Sequence, residues 1–267
     1  MNADATSLLR TWLDQLRAHG VTHVRVNDDA LQSLTPPASK PGIALSSQQP
    51  QSDKAALLAK LAAEAESNAE CRTLGTLREV MVFATGSPNA DIMFIGEAPG
   101  AEEERQREPF VGPAGQLLTK IINAMGLKRS DVYISNICKF RPAITDRSQG
   151  SSNRAPTKLE MDTCLPFITR EIEIIKPRTI VALGATAMSG LGIEGGVTRL
   201  RGQMREFHDV PVMITFHPSY LLRCEQNDGG GIQEKRLVWE DMLKVMEHTG
   251  LSVSDKQRAY FTRTAGL

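Results

Sequence analysis

Apolar positions along the chain follow two periods, one helical and one that of buried strands. Leu8, Leu9, Trp12, Leu13 and Leu16 share one helical face, which predicts an amphipathic helix over residues 7–19. Residues 27–52 are polar and rich in Pro and Ser with no sustained period, and read as a linker. The pattern then changes. Leu57, Leu58 and Leu61 predict a helix over 55–69, and the apolar run at 91–95 ends in a glycine loop, as a buried parallel strand does. Leu117, Leu118, Ile121, Ile122 and Met125 give a clear 3.6-residue period closed by Gly126. A strand at 132–137 is followed by a helix at 157–175, opened by a capping box of Thr157 and Glu160 and interrupted by Pro166. Further strands are predicted at 179–183 and 210–215, with Pro211 marking an edge or a strand start. A helix at 233–247 turns Val238, Met242, Val245 and Met246 inward.

This alternation predicts an α/β fold, a three-layer α/β/α sandwich around a central, mainly parallel four-stranded sheet. The expected organisation is an N-terminal helix and linker (1–52), an α/β domain (53–247) and a basic C-terminal tail (248–267) carrying Lys256, Arg258 and Arg263. In such sheets ligands sit beyond the carboxyl ends of the strands. Three unusual segments come directly after predicted strand ends: the loop after Ile95, Asn136, and the loop after Thr215.

Composition narrows the partners. Lys+Arg and Asp+Glu both total 31, so any affinity for nucleic acid must come from local basic clusters. The first residues lack a secretion signal, and no apolar run reaches the roughly 18 residues of a membrane span. A soluble, cytoplasmic monomer is therefore expected, with no membrane partner. The four cysteines, Cys71, Cys138, Cys164 and Cys224, have no short pairing spacing, so they are reduced thiols or cluster ligands rather than a disulfide framework.

Four segments carry candidate chemistry. Gly96-Glu-Ala-Pro-Gly100 permits close approach of a ligand to backbone, and Glu97, Glu102, Glu103 and Glu104 are candidate water-orienting carboxylates. Pro109-Phe-Val-Gly112 sets Phe110 in a rigid loop, where a fixed aromatic face suits stacking on a base. Asn136 can both donate and accept, as the O4 and N3–H edge of uracil requires, and Lys139, Arg141 and Pro142 come soon after it. His217-Pro-Ser219 offers an imidazole donor for negative charge on a leaving base. Beside it Ser219, Tyr220 and Arg223 suit phosphates, and Leu221 or Leu222 suits insertion into the base stack. Taken singly, each has an ordinary structural explanation: a turn, a core plug, a self-bonded Asn, a structural His.

Jointly, their order resembles the uracil-DNA glycosylase superfamily, specifically the thermophile-type group called family 4. The matching residues are Gly96 to Glu103, Pro109 to Leu118, Asn136 with Arg141 and Pro142, Asn153 to Thr157, Cys164, and His217 to Arg223. The resemblance runs from about Cys71 to Met246. It implies a monofunctional DNA N-glycosylase of base excision repair, acting on single- or double-stranded DNA. The enzyme flips uracil out, hydrolyses its N-glycosidic bond and leaves an abasic site. Glu97, Glu103, His217 and Asn153 would then be catalytic. Ala98, Phe110, Asn136 and His217 would bind uracil, and Ser219, Tyr220, Leu221, Arg223 and Arg141 would contact DNA.

Three departures qualify the resemblance. Ala98 stands where the best-known enzymes of the superfamily carry a water-activating Asp, which shifts the burden to Glu97 and Glu103. Family 4 carries a [4Fe–4S] cluster on four cysteines, and here two of the four positions are Asn68 and Phe140, leaving Cys71 and Cys164 with Cys138 nearby. No cofactor and no metal are therefore expected. Residues 143–152 form an insertion without the His by which a related subgroup traps the sugar, although Arg147 and Arg154 add basic charge. The competing readings are a non-catalytic uracil- or DNA-binding protein of the same fold and a glycosylase for other deaminated bases. A phosphate-binding α/β enzyme is disfavoured by the lack of a Gly-rich phosphate loop, and a thiol redox protein by the scattered cysteines.

Overall fold

The structure, a computed structural model, describes residues 49–144, 149–226 and 230–261. The helix predicted at 7–19, all but the end of the linker, Arg147 and Arg263 lie outside the described residues. Among the described residues there are eight strands, in chain order β1 (Leu77–Met81), β2 (Ala84–Gly86), β3 (Ile92–Gly96), β4 (Tyr133–Asn136), β5 (Phe140–Pro142), β6 (Thr179–Leu183), β7 (Met204–Phe207) and β8 (Val210–Thr215). Six of them form one sheet in the order β2-β4-β3-β6-β8-β7, and β1 pairs with β5 in a separate two-stranded sheet. The β4-β3-β6-β8 ladder is parallel throughout. It coincides with the four predicted strands. The sheet is wider than expected because β2 and β7 add antiparallel edges.

Strand alternation creates the layers, since successive side chains point to opposite faces. Met93, Ile95, Tyr133, Ile180, Ala182 and Val212 join one core, with Leu58 and Leu61 of α1 (Gln49–Glu66) and Ile168 and Ile172 of α5 (Lys158–Ile175). Ile92, Phe94, Ile134, Val181, Leu183 and Met213 join the other, with Leu118 and Ile122 of α4 (Pro113–Ala124) and Met242 and Val245 of α9 (Ile232–Thr249). Shorter helices complete the chain: α2 (Ala69–Thr73), α3 (Ala101–Gln106), α6 (Gly184–Gly190), α7 (Val197–Leu200), α8 (Pro218–Glu225) and α10 (Asp255–Arg258). No helix among the described residues is long and apolar enough to cross a membrane.

Several local expectations are sharpened. Helix α1 begins at Gln49, within the stretch read as linker, and Leu57 on it is half exposed rather than inward. The Thr157 hydroxyl accepts from Glu160 N, the Glu160 carboxylate accepts from Thr157 N, and Pro166 sits inside α5 without ending it. Pro211 occupies a strand start, paired with Glu206 of edge strand β7. The described part of the tail, to residue 261, is fastened to the domain. The Trp239 indole donates to Gln257 O at 2.8 Å, Gln257 Nε2 donates to Ala124 O at 2.9 Å, and Arg258 pairs with Glu247.

Candidate active site

The carboxyl ends of the four parallel strands open on a cavity of about 650 Å³. β3 delivers Glu97, Ala98 and the Gly100 turn; β4 delivers Asn136; β6 delivers Gly184 and Thr186; β8 delivers Phe216 and His217. Phe110, Glu103, Asn153, Ser219, Tyr220 and Arg223 also line it. Ten of the twelve residues expected from sequence to act in catalysis, base binding or DNA contact thus share one crevice, as the switch-point rule for open α/β sheets requires. Leu221 and Arg141 do not.

Asn136 ends β4 and is 2% exposed, with its backbone carbonyl accepting from Lys139 Nζ at 3.1 Å. Its side-chain Oδ1 is buried and has no hydrogen-bond partner among the described residues. A buried, unsatisfied acceptor is costly and rare in a folded protein, so it marks a place where a ligand N–H fits. Gly96 lies beneath it. A Cβ there would come within 2.4 Å of both Asn136 Oδ1 and the Phe110 ring, so only glycine lets amide and ring meet over the strand end.

Phe110 sits 5% exposed with a backbone φ of +56°, a left-handed conformation unusual for an aromatic residue. Its ring centroid lies 5.7 Å from that of His217, the two planes inclined by 31°. His217 caps α8. Its Nδ1 accepts from Ser219 N at 3.1 Å and lies 2.8 Å from Ser219 Oγ. With Nδ1 used as an acceptor, the neutral ring carries its proton on Nε2. Burial, and secondarily the charge of Arg223, pull the imidazole pKa down to about 4, so the ring is neutral at pH 7. Gly184, at φ +86°, lets β6 pass close by; a Cβ there would lie 2.9 Å from His217 Cβ.

The carboxylates differ in their surroundings. Glu97 Oε2 accepts from Thr186 Oγ1 at 2.6 Å. Glu103 accepts backbone N–H groups instead: Val111 and Gly112 on Oε1 at 3.0 and 2.8 Å, and Gly100 on Oε2 at 3.2 Å. Both of its oxygens tie the Gly100 turn to the Phe110 loop. Asn153 Oδ1 accepts from Arg141 Nε at 2.9 Å, which leaves its amide NH₂ toward Gly100.

Two expectations about DNA contact are corrected by burial. Arg141 is 3% exposed, and its guanidinium also donates to Glu104 Oε2, Gly150 O and Ser152 O at 2.7–3.0 Å. It is an internal strut that orients Asn153, with no donor turned outward to a phosphate. Leu221 is 1% exposed and packs in the core with Leu118 and Trp239, so the leucine of this helix left nearer the surface is Leu222. Arg223 is exposed, stacked 5.9 Å over the Tyr220 ring. Arg129, passed over in the sequence, reaches the back of the Phe110 loop, donating to Pro109 O and Phe110 O.

The residues at the family's cluster positions do not fit a four-iron cluster. Asn68 caps α2, its Oδ1 accepting from Cys71 N at 2.8 Å, and Phe140 is buried under the Arg72 guanidinium, 5.1 Å from the ring centroid. Neither supplies a thiolate. The Cys71 and Cys164 sulfurs are in contact at 3.9 Å. Hydrogen bonds from Cys138 and Cys71 hold Cys164 below the usual thiol range, while those two thiols are pushed up. The chain holds a packed thiol triad where its resemblance implies a metal centre.

Fold and crevice together define an α/β protein whose parallel strands end on an unpaired amide oxygen, an aromatic face and a neutral imidazole. Residues 83–243 match the model of the Uracil DNA glycosylase superfamily, and the chain belongs to that superfamily. It is similar to the type-4 uracil-DNA glycosylase of Thermotoga maritima, 42% identical over 170 residues that span 62% of this chain and 82% of that protein. A type-4 enzyme of Sulfurisphaera tokodaii is 36% identical over 200 residues, 71% of this chain and 84% of its own. A type-5 uracil-DNA glycosylase of Pyrobaculum aerophilum is 32% identical over 154 residues, 51% and 64% respectively.

Proposed function

We propose that this chain excises uracil from DNA by hydrolysis, and that the observation carrying the base assignment is the orphaned Oδ1 of buried Asn136. Uracil offers N3–H to that acceptor and O4 to the amide NH₂ beside it. Cytosine presents the reverse pattern at both positions and leaves two buried groups unsatisfied. The Phe110 ring supplies the stacking face. A neutral His217 donates from Nε2 to the uracil oxygen on which charge builds as the C1′–N1 bond breaks and its electron pair passes to the ring. Water adds to C1′, oriented by the Glu97 carboxylate that Thr186 holds in place, and the proton it gives up balances the charge of the departing uracil anion. Glu103 organises the two loops rather than the water, since three backbone donors surround it. Ser219, Tyr220, Leu222 and Arg223 form the DNA-facing rim. Single- or double-stranded uracil-containing DNA is the substrate, and the protein acts as a cytoplasmic monomer.

An oligonucleotide panel tests this reading. Labelled strands bearing U, C, hypoxanthine or xanthine, single- and double-stranded, are incubated with enzyme and cleaved with alkali. Scission at U and none at C is expected. Retardation of the U strand with no scission would replace the enzyme by a binding protein, and scission at hypoxanthine or xanthine but not U would move the substrate to another deaminated base.

The same reading takes the chain as cluster-free, because the donor set at Asn68, Cys71, Phe140 and Cys164 lacks two thiolates. Protein purified anaerobically is expected to hold less than about one iron per chain and to show no charge-transfer absorption in the visible. A content near four irons per chain would overturn it.

A further inference from the structure

We infer that Arg129 and Glu103 act as a pair of positioning residues, gripping one peptide group from opposite ends so that Phe110 stays in its stacking pose. The role rests on the reading of Phe110 as the ring that stacks on the base. The peptide in question joins Phe110 to Val111. Its carbonyl accepts from Arg129 Nη1 at 3.1 Å, and its N–H donates to Glu103 Oε1 at 3.0 Å. In a trans peptide these two groups point in opposite directions. The cation therefore sits at the negative end of the peptide dipole and the anion at the positive end, and both favour the same orientation.

The neighbouring peptides are held by the same two side chains. Arg129 Nη2 donates to Pro109 O at 2.8 Å and to Glu108 Oε1 at 3.1 Å, and Glu103 Oε1 also accepts from Gly112 N at 2.8 Å. A planar guanidinium fork spans two carbonyls at once in a way that an ammonium cannot. The grip is needed because Phe110 has a φ of +56°, a region L-residues avoid unless their surroundings impose it. Helix α4 closes the third side. A Cβ at Gly115 would lie 1.9 Å from the Phe110 carbonyl, and the Thr119 hydroxyl beneath it, 3.3 Å from Arg129 Nη1, donates to Gly115 O at 3.0 Å. Arg129 comes from the turn at Arg129–Asp131 before β4, and its partners on the loop are the two carbonyls and Glu108.

A double-mutant cycle separates this role from general stabilisation. Kinetics on a uracil oligonucleotide and inhibition by free uracil are measured for wild type, Arg129→Ala, Phe110→Ala and the double variant. Arg129→Ala is expected to raise KM and the inhibition constant for uracil on the order of tenfold, the scale of a lost base–aromatic stack, with a smaller change in kcat. In the Phe110→Ala background the same change is expected to cost almost nothing further. Losses that multiply in the double variant would overturn the inference. Should Arg129→Ala unfold in a thermal melt, Arg129→Lys, which keeps the charge and one donor head, gives the same cycle and is read in the same way. A wild type that neither releases nor binds uracil gives a different pattern, and overturns the reading of Phe110 together with this role.

Discussion

Replacing Asn136 with Asp lowers kcat/KM for uracil release by about 10⁴-fold, the discrimination a buried hydrogen-bonding site reaches when its partner is mismatched. The two side chains have the same shape. Oδ1 keeps its place as acceptor for N3–H, and the amide NH₂ that donates to O4 becomes a second oxygen. At 2% exposure that oxygen faces O4 with no water to separate them. The carboxylate must then either carry charge against a carbonyl or take up a proton, and each option costs binding. Steady-state kinetics on a uracil oligonucleotide, with circular dichroism to establish the fold, measure the effect. A loss below about tenfold would remove Asn136 from base recognition.

His217→Ala is expected to lower kcat by about 10²–10³-fold, the usual cost of one preorganised donor to a developing anion. KM should change little, because the charge exists only as the bond breaks. The pH dependence carries a second signature. An imidazole with its pKa near 4 is neutral throughout the physiological range, so the wild-type rate should show no imidazole step near pH 6.5, where an unperturbed His titrates. The sign for stability is equally definite. The folded pKa lies below the unfolded one, so the unfolded chain binds the proton first. The contribution of His217 to stability is complete above about pH 6.5 and is lost as the pH falls toward 4. A rate that rises with protonation of a group near 6.5, and that loses this step in His217→Ala, would show that the imidazolium does the work.

Much of this site could be read from the chain because of where strands end. Runs such as Ile92–Gly96 and residues 212–215 are buried on both faces and so are continuous in sequence, and the loops that leave them emerge at the same edge of the sheet. The edges of the sheet were hidden for local reasons. Strand β2 is three residues long, and the β7–β8 hairpin turns through His208 and Asp209, both at positive φ, without the Asn-Gly or Asp-Gly signature of such a turn. Leu221 and Leu222 are equivalent in a motif, and only the packing of α8 against α4 and α9 decides that Leu221 is core. Arg141 looks like any cation beside a DNA-binding segment. Its carbonyl partners at Gly150 and Ser152 come from the insertion, whose path the sequence does not reveal. Arg129 belongs to no motif; its place behind Phe110 exists only once the turn before β4 is folded against the loop before α4.

Glu97 and Glu103 show the same limit in a different form. Both are acidic residues in one short loop, and their chemistry by residue type is identical. Geometry separates them: Glu103 faces three amide N–H groups at a helix start, whereas Glu97 faces a hydroxyl at the cavity wall. The cysteines obey a similar logic. Their spacing leaves cluster ligands and reduced thiols both open, and the facts that favour thiols are the cap made by Asn68 and the burial of Phe140, neither of which is a property of cysteine.

The measurement that bears most directly on the account is the release of free uracil, quantified by chromatography, from excess uracil-containing DNA by the wild-type protein and by Asn136→Asp. One uracil released per abasic site, over many turnovers and only by the wild type, is the predicted result. DNA held in a retarded complex with no uracil in solution would contradict it, leaving a crevice that reads the base without cutting it free.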